Sequence, residues 1–220
     1  MKSSLMAVLA AGTCLLFAAG CSSSPQTSPA PAETKPAAAA QKAPAPPISA
    51  ESERLYTQGL AEYEQLRYDA AIAAYDQALA ADRSNYKALS GKGVAMAMRG
   101  NDTGNKDDVT SGISLIQQAL SIYPDYTAGF YDLALACKIN GQGDVAIQYF
   151  KKVLAAEPDN TWSYYGIATI YGDRGQAKEA VAYLKKAAVL DRENVVKAAQ
   201  TQSHFDRIRQ DPEFQALVQP

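Results

Sequence analysis

The chain reads as all-α: a solenoid of four helix pairs closed by C-terminal capping helices, preceded by a signal peptide and a disordered linker. Three observations predict this. Small residues recur in two interleaved series, the first Gly59, Gly93, Ala134, Ala168 and the second Ala71, Gly112, Ala146, Ala180, in steps of 34 residues with one step of 41 in each, where seven residues are added. Each period holds two amphipathic helical stretches separated by a turn, and a period of this length with two helices per unit marks a stacked repeat. Only one cysteine, Cys137, lies beyond position 21, so no disulfide within that part of the chain can substitute for a packed core.

The N-terminal stretch MKSSLMAVLAAGTCLLFAAGC has a basic residue, Lys2, an apolar run from Leu5 to Ala19, and small residues before Cys21. That layout predicts a secretory signal over 1–20. The apolar run is short for a membrane span, which needs about 20 residues. The AAGC ending resembles the lipobox of bacterial lipoproteins, although Ala18 stands where leucine is usual. The resemblance implies that Cys21 becomes the lipidated N-terminus and carries the membrane anchor. Ser22 after it, rather than aspartate, implies an outer-membrane, periplasm-facing location in a Gram-negative source, or the outer face of the cell membrane in a Gram-positive one.

Residues 21–50 form a Pro/Ala-rich tether, with seven of the eleven prolines and almost no large apolar side chain. Such a stretch cannot bury enough surface to offset the entropy of ordering. The formal charge of the whole chain is −2, and −3 once residues 1–20 are removed. A mildly acidic chain with no clustered basic face has no footprint for nucleic acid.

Repeats are expected at 52–85, 86–126, 127–160 and 161–194, each a helix A, a turn and a helix B. Gly100-Asn101, Gly141-Gln142 and Gly175-Gln176 mark the turns, and Pro124 and Pro158 end helix B of the second and third repeats. The second repeat carries seven extra residues around Asp102–Asp108, expected as a solvated loop. Small residues at the A/B crossing let two helix axes approach closely. Ala78, Ala119 and Ala187 do the same against the next repeat, and Tyr75, Ile116, Phe150 and Leu184 fill the space that remains. Residues 195–220 are expected to cap the stack. Val195, Ala199, Phe205 and Ile208 form the inward stripe of one helix started by Asn194, and Asp211-Pro212 starts a second.

This pattern, best developed in GFYDLALACKINGQGDVAIQYFKKVLAAEPDN (129–160), resembles the tetratricopeptide repeat family. The resemblance implies a right-handed superhelix whose concave face, lined by fixed positions of helix A, binds protein segments. Matched onto this chain, those positions include Tyr56, Tyr63, Met98 and Tyr131, and further along Leu135, Lys138, Trp162 and Tyr165. Some relatives hold a C-terminal carboxylate there with Lys, Arg and Asn. Here Tyr56, Tyr131 and Tyr165 stand at three of the four Lys-type sites, and Leu60, Val94, Leu135 and Thr169 at the Asn-type sites. An apolar or amphipathic protein segment is therefore the expected partner, with no small-molecule substrate.

Catalytic chemistry finds little support. GQGDVA (141–146) matches a dinucleotide fingerprint, but a helix rather than a strand precedes it. The spacing in DTGNKDD (102–108) does not fit a calcium loop. His204 is the only histidine, and Cys137 falls at an inward position of helix A. No cofactor, metal or enzymatic activity is expected. The function these features imply is a membrane-anchored scaffold or adaptor lipoprotein of the bacterial envelope. The alternatives are a pilotin-like or hydrolase-regulating lipoprotein and a self-assembling structural solenoid.

Overall fold

Six of the ten α-helices among the described residues begin at a short polar side chain that accepts a backbone N–H. The computed structural model describes residues 44–219, so the signal segment, Cys21 and the tether up to residue 43 lie outside the described residues. Ten α-helices and one 3-10 segment occur among the described residues. They are α1 (Ala50–Glu64), α2 (Tyr68–Ala81), α3 (Tyr86–Thr103), α4 (Lys106–Ile122), α5 (Thr127–Ile139), α6 (Gly143–Ala156), α7 (Thr161–Asp173), α8 (Ala177–Leu190), α9 (Arg192–Thr201), the 3-10 turn Ser203–Ile208, and α10 (Pro212–Val218). Ser49, Asn85 and Asn160 accept backbone N–H groups at the starts of α1, α3 and α7. The Asn85 side chain also donates to Ser52 Oγ (2.8 Å), which donates to the Ala78 carbonyl (2.7 Å). One buried polar chain thus ties the start of α1 to the end of α2 and the start of α3.

The helices pair in order, and each pair packs on the next. The odd-numbered helices α1, α3, α5 and α7 lie beside one another and form one face. The crossings are as tight as the small residues require. Ala71, Ala134, Ala146, Ala168 and Ala180 are fully buried. At the second crossing two glycines face each other, and a Cβ on Gly93 would stand 2.5 Å from the Gly112 carbonyl oxygen. Large side chains fill the seams between pairs. The Tyr75 ring sits against Gly59 and Gly91, and the Phe150 ring against Gly166, so close that a Cβ at any of these glycines would overlap the ring. Outside the odd-helix face a second regularity repeats: Lys152 lies over the rings of Phe130 and Tyr149, and 34 residues on Lys186 lies over Tyr164 and Tyr183.

Three expectations are corrected. The seven extra residues of the second pair do not form a loop. They lengthen α3 by five residues and α4 by three relative to α5 and α6, and the turn between them is one residue shorter. The turn therefore falls at Gly104-Asn105, and Gly100 is buried inside α3, where added helical turns bury more surface than a solvated loop would. Arg99 fastens this longer hairpin to the first pair, reaching Asp69 at 2.6 Å and Asp108 at 2.8 Å. The second correction concerns the expected first capping helix, which is broken into α9 and the 3-10 turn because the fold must place Phe205 back against α7. The third is its start: Asp191, not Asn194, accepts the N–H that caps α9. Asp211 and Pro212 do begin α10, and Val195, Ala199, Phe205, Ile208 and Phe214 are all buried.

Gly104, Gly141 and Gly175 leave their helices at φ between 71° and 75°, but at the matching turn of the first pair Leu66 adopts φ 59°. An L-residue in that region costs roughly 1–2 kcal/mol. Leu66→Gly is therefore expected to stabilise the protein by about 1 kcal/mol, after the greater freedom glycine gives the unfolded chain. In the opposite direction, Gly112→Ala sets a methyl against backbone and should cost about 1–3 kcal/mol, as overpacking does. Urea unfolding of the two variants beside wild type measures both; an unchanged midpoint for Gly112→Ala would contradict the crossing geometry.

Candidate functional site

The odd-helix face is where the family resemblance placed the binding residues. Two open concavities lie on it, at opposite ends of α5. The first, of about 330 Å³, is lined by Met98 and Asn101 of α3, Leu135, Lys138 and Ile139 of α5, Asp173 at the end of α7, and His204 of the 3-10 turn. The second, of about 320 Å³, is lined among others by Tyr131 and Asp132 of α5, Val153 and Glu157 at the end of α6, and Trp162 of α7. The structure thus gathers Met98, Leu135 and Lys138 at one end and Tyr131 and Trp162 at the other.

At the first concavity a short polar chain closes the rim. The Asp173 carboxylate lies 2.9 Å from His204 Nδ1, and Lys138 Nζ lies 3.1 Å from His204 Nε2. An ammonium has no acceptor, so Lys138 donates to Nε2, and the remaining ring proton points from Nδ1 to Asp173. Lys138 extends from a wall of Leu135, Ile139 and Met98, and this burial pushes its ammonium down to about 8. His204, the sole histidine, therefore has a structural place that its sequence position did not reveal.

At the other end the decisive residue is one the sequence reading missed. Asp132 sits in the middle of the apolar helix FYDLALACKI. It is half-buried in the wall of the second concavity, and burial pushes its carboxyl up to about 7 although Ser90 Oγ donates to it at 2.7 Å. Five tyrosines, Tyr56, Tyr63, Tyr75, Tyr126 and Tyr131, feel its charge. In each case burial comes first and the Asp132 charge adds to it in holding the phenol above its ordinary range, Tyr131 at about 12. Tyr56 and Tyr63 also pack on core rings, Tyr56 on Tyr75 at 5.8 Å and Tyr63 on Tyr68 at 5.8 Å. They are half-buried walls of the face rather than free side chains. The signal that pointed to Asp132 was available: an acid flanked on both sides by apolar residues in mid-helix is rare without a purpose.

Tyr165 is the correction among the expected binding residues. It is only 5% exposed, its hydroxyl donates to Gln202 Oε1 (2.9 Å), and its ring stands edge-on to Phe205 at 5.8 Å. The C-terminal segment covers it, because a solenoid end must bury its last apolar face. Tyr165 instead supports Trp162, whose ring meets it edge-on at 5.5 Å and remains 42% exposed. Thr169 and Val94 are likewise buried, whereas Leu60 is exposed. Cys137 is buried, and burial raises its thiol pKa, away from thiolate chemistry. The 141–146 glycine motif spans the turn before α6 and the first turn of α6. Among the described residues no group of His, Cys, Asp and Glu is assembled as a metal would need.

The two displaced pKa values give opposite pH slopes. Asp132 keeps its proton up to about 7 in the folded chain but loses it near 4 when unfolded. Between these values the folded chain holds the extra proton, so stability falls as pH rises, and the loss is complete above about 7. Lys138 loses its proton near 8 when folded and near 10.4 when unfolded, so its contribution rises with pH through that higher window. Asp132→Asn, which can still accept from Ser90, should therefore melt increasingly above wild type from about pH 5 to about pH 8. Parallel melting curves at every pH would remove Asp132 as the cause.

Comparison with known proteins agrees with the geometry. Two family models, both described as tetratricopeptide repeat, match residues 56–127 and 139–203. No curated protein matches the chain. Among solved structures it is similar to TTC0263, a thermophilic tetratricopeptide-repeat protein of Thermus thermophilus, at TM-score 0.60 and 19% identity over 76% of this chain and 87% of that one. It is similar also to a MamA fragment from Desulfovibrio magneticus, at TM-score 0.52 and 14% identity over 78% and 96%. A third is YrrB, described as a repeat protein with an unusual peptide-binding site, at TM-score 0.50 and 17% identity over 74% and 82%. At these identities the likeness is one of fold. The paired helices, their small-residue crossings and the two family matches agree: the chain belongs to the tetratricopeptide repeat family.

Proposed function

We propose that this protein is an adaptor that holds a segment of a partner protein on its odd-helix face, tethered to the outer membrane of a bacterial envelope through a lipid on Cys21, with no chemistry of its own. The observation that carries the binding half is the pair of open concavities at the two ends of α5, each with apolar walls and a few convergent polar groups. Leu60, Trp162 and the half-buried Leu135 offer contact area along the same face. The segment that fits is amphipathic rather than wholly apolar, because Lys138 and Asp132, beyond their bonds to His204 and Ser90, keep hydrogen-bonding sites that lose water when the face is covered. The peptide-binding site named for YrrB supports this reading by analogy of fold.

The anchoring half is supported by the sequence alone, by the basic start, apolar run and AAGC ending of residues 1–21. Among the described residues no helix is long and apolar enough to cross a membrane. A proline- and alanine-rich tether places the repeats away from the bilayer, where a long partner segment can reach them.

Two experiments test the two halves separately. Cys21→Ser should leave the protein unprocessed or soluble; membrane fractionation of the processed variant would sink the anchor. For binding, peptides selected from a display library on the full-length chain should lose about 2 kcal/mol of affinity with Trp162→Ala, the size of an interface aromatic anchor. Val189→Asp, at an exposed site near the end of α8, should leave affinity unchanged. Selected peptides indifferent to Trp162 but weakened by Val189→Asp would place recognition elsewhere.

A further inference from the structure

We propose that the concavity between α5, the end of α6 and α7 is a receptor for a cationic side chain, an arginine carried by the bound segment. The inference rests on the groove reading above and names the chemistry of one of its subsites. Two carboxylates, Asp132 and Glu157, line the cavity. Each has acceptor capacity left: Asp132 takes one hydrogen bond, from Ser90 at 2.7 Å, and Glu157 takes one from Asn160 Nδ2 at 3.0 Å. A carboxylate offers about four acceptor sites. The C-terminal turn of α6 ends at the same place, with Val153 and the capping residue Glu157 both in the wall, and adds the partial negative charge of a helix terminus.

Two aromatic rings complete the cavity. Trp162 is 42% exposed and held edge-on by the buried Tyr165; Tyr131 is braced edge-on by Phe150 at 5.6 Å. Ring faces attract cations, tryptophan most strongly. None of the residues lining the cavity is basic. Nearby cations of this chain are committed elsewhere, Lys87 to Glu53 at 2.7 Å and Lys138 to His204 at the other end of α5.

Each alternative occupant meets a physical objection. An apolar side chain would strip water from Asp132 and offer nothing in return. An anion would face two carboxylates and a helix C-terminus. A guanidinium is planar, stacks on aromatic faces and presents several donors to two carboxylates at once, which an ammonium does less well. Burial holds the Asp132 carboxyl near 7, and a guanidinium beside it would favour the ionised form.

The sole tryptophan of the chain is in the cavity, so its emission reports occupancy directly. The probes are acetyl-arginine amide and acetyl-citrulline amide, which share shape and differ in charge, titrated into the full-length protein at constant ionic strength and pH 8, above the Asp132 carboxyl. Arginine should give a saturable change with affinity at least about tenfold above citrulline, the worth of one charge-assisted hydrogen bond. Asp132→Asn should bring arginine down to the citrulline level, and Glu157→Gln, at an exposed position outside the core, should weaken it in the same direction. Equal affinity for the two probes, or no saturable response to arginine in wild type, overturns the proposal without any variant. Acetyl-lysine amide binding as tightly as arginine would overturn the preference for guanidinium. If display-selected peptides depend on Trp162 yet carry no enrichment of arginine, this subsite falls while the groove stands. If they do not depend on Trp162, the groove reading itself falls.

Discussion

Everything in this fold depends on how closely two helices of a pair can approach. At Gly93 and Gly112 there is room for neither a methyl group nor a water, and at Ala71, Ala134, Ala146, Ala168 and Ala180 the burial is complete. Close approach at the crossing fixes how each pair packs, and small residues fill the crossing at each step. It brings the odd-numbered helices side by side, and with the 3-10 turn packed on α7 this is why residues as far apart as Met98 and His204 line one concavity. A larger side chain at any crossing would change the pitch of the stack as well as its stability, because packed interiors transmit strain rather than absorb it.

The seams between pairs follow a complementary rule. Where a large ring projects from an even helix, the next odd helix offers a glycine: Tyr75 with Gly91, Phe150 with Gly166. The seam is therefore directional, large into small, and a repeat cannot be exchanged for its neighbour without losing the match. The longer second pair shows how the architecture absorbs extra sequence. Seven added residues become additional helical turns, locked back to the first pair through Arg99 with Asp69 and Asp108. Backbone hydrogen bonds satisfied within helices explain why this outcome wins over an exposed loop.

Polarity on the binding face is distributed rather than scattered. Two carboxyls and aromatic rings occupy one end of α5, and a lysine, a histidine and Asp173 the other. Each isolated charge is partly withdrawn from water, which is why Asp132 and Lys138 are displaced toward neutrality from opposite directions. The C-terminal segment contributes by covering Tyr165 and thereby holding Trp162 outward.

By itself the sequence determined the helical period, the identity of the crossing residues, the seam-filling side chains and the buried stripe of the C-terminal cap. These are local or periodic properties: a small residue recurring every 34 positions has the same cause at each recurrence. It also determined that Tyr131, Leu135 and Lys138 share one face of α5, since spacing along a helix fixes direction. Only the tertiary structure decided that the residues around Asp102–Asp108 extend two helices, that Gly104 rather than Gly100 makes the turn, and that Asp191 rather than Asn194 caps α9. It alone buried Tyr165 under Gln202 and Phe205, and brought His204 to Lys138 and Asp173. The reason is the same in each case. These outcomes depend on contacts between residues distant in sequence or on competition between neighbouring caps, and no periodic signal along the chain records which of two nearby partners a folded backbone will reach.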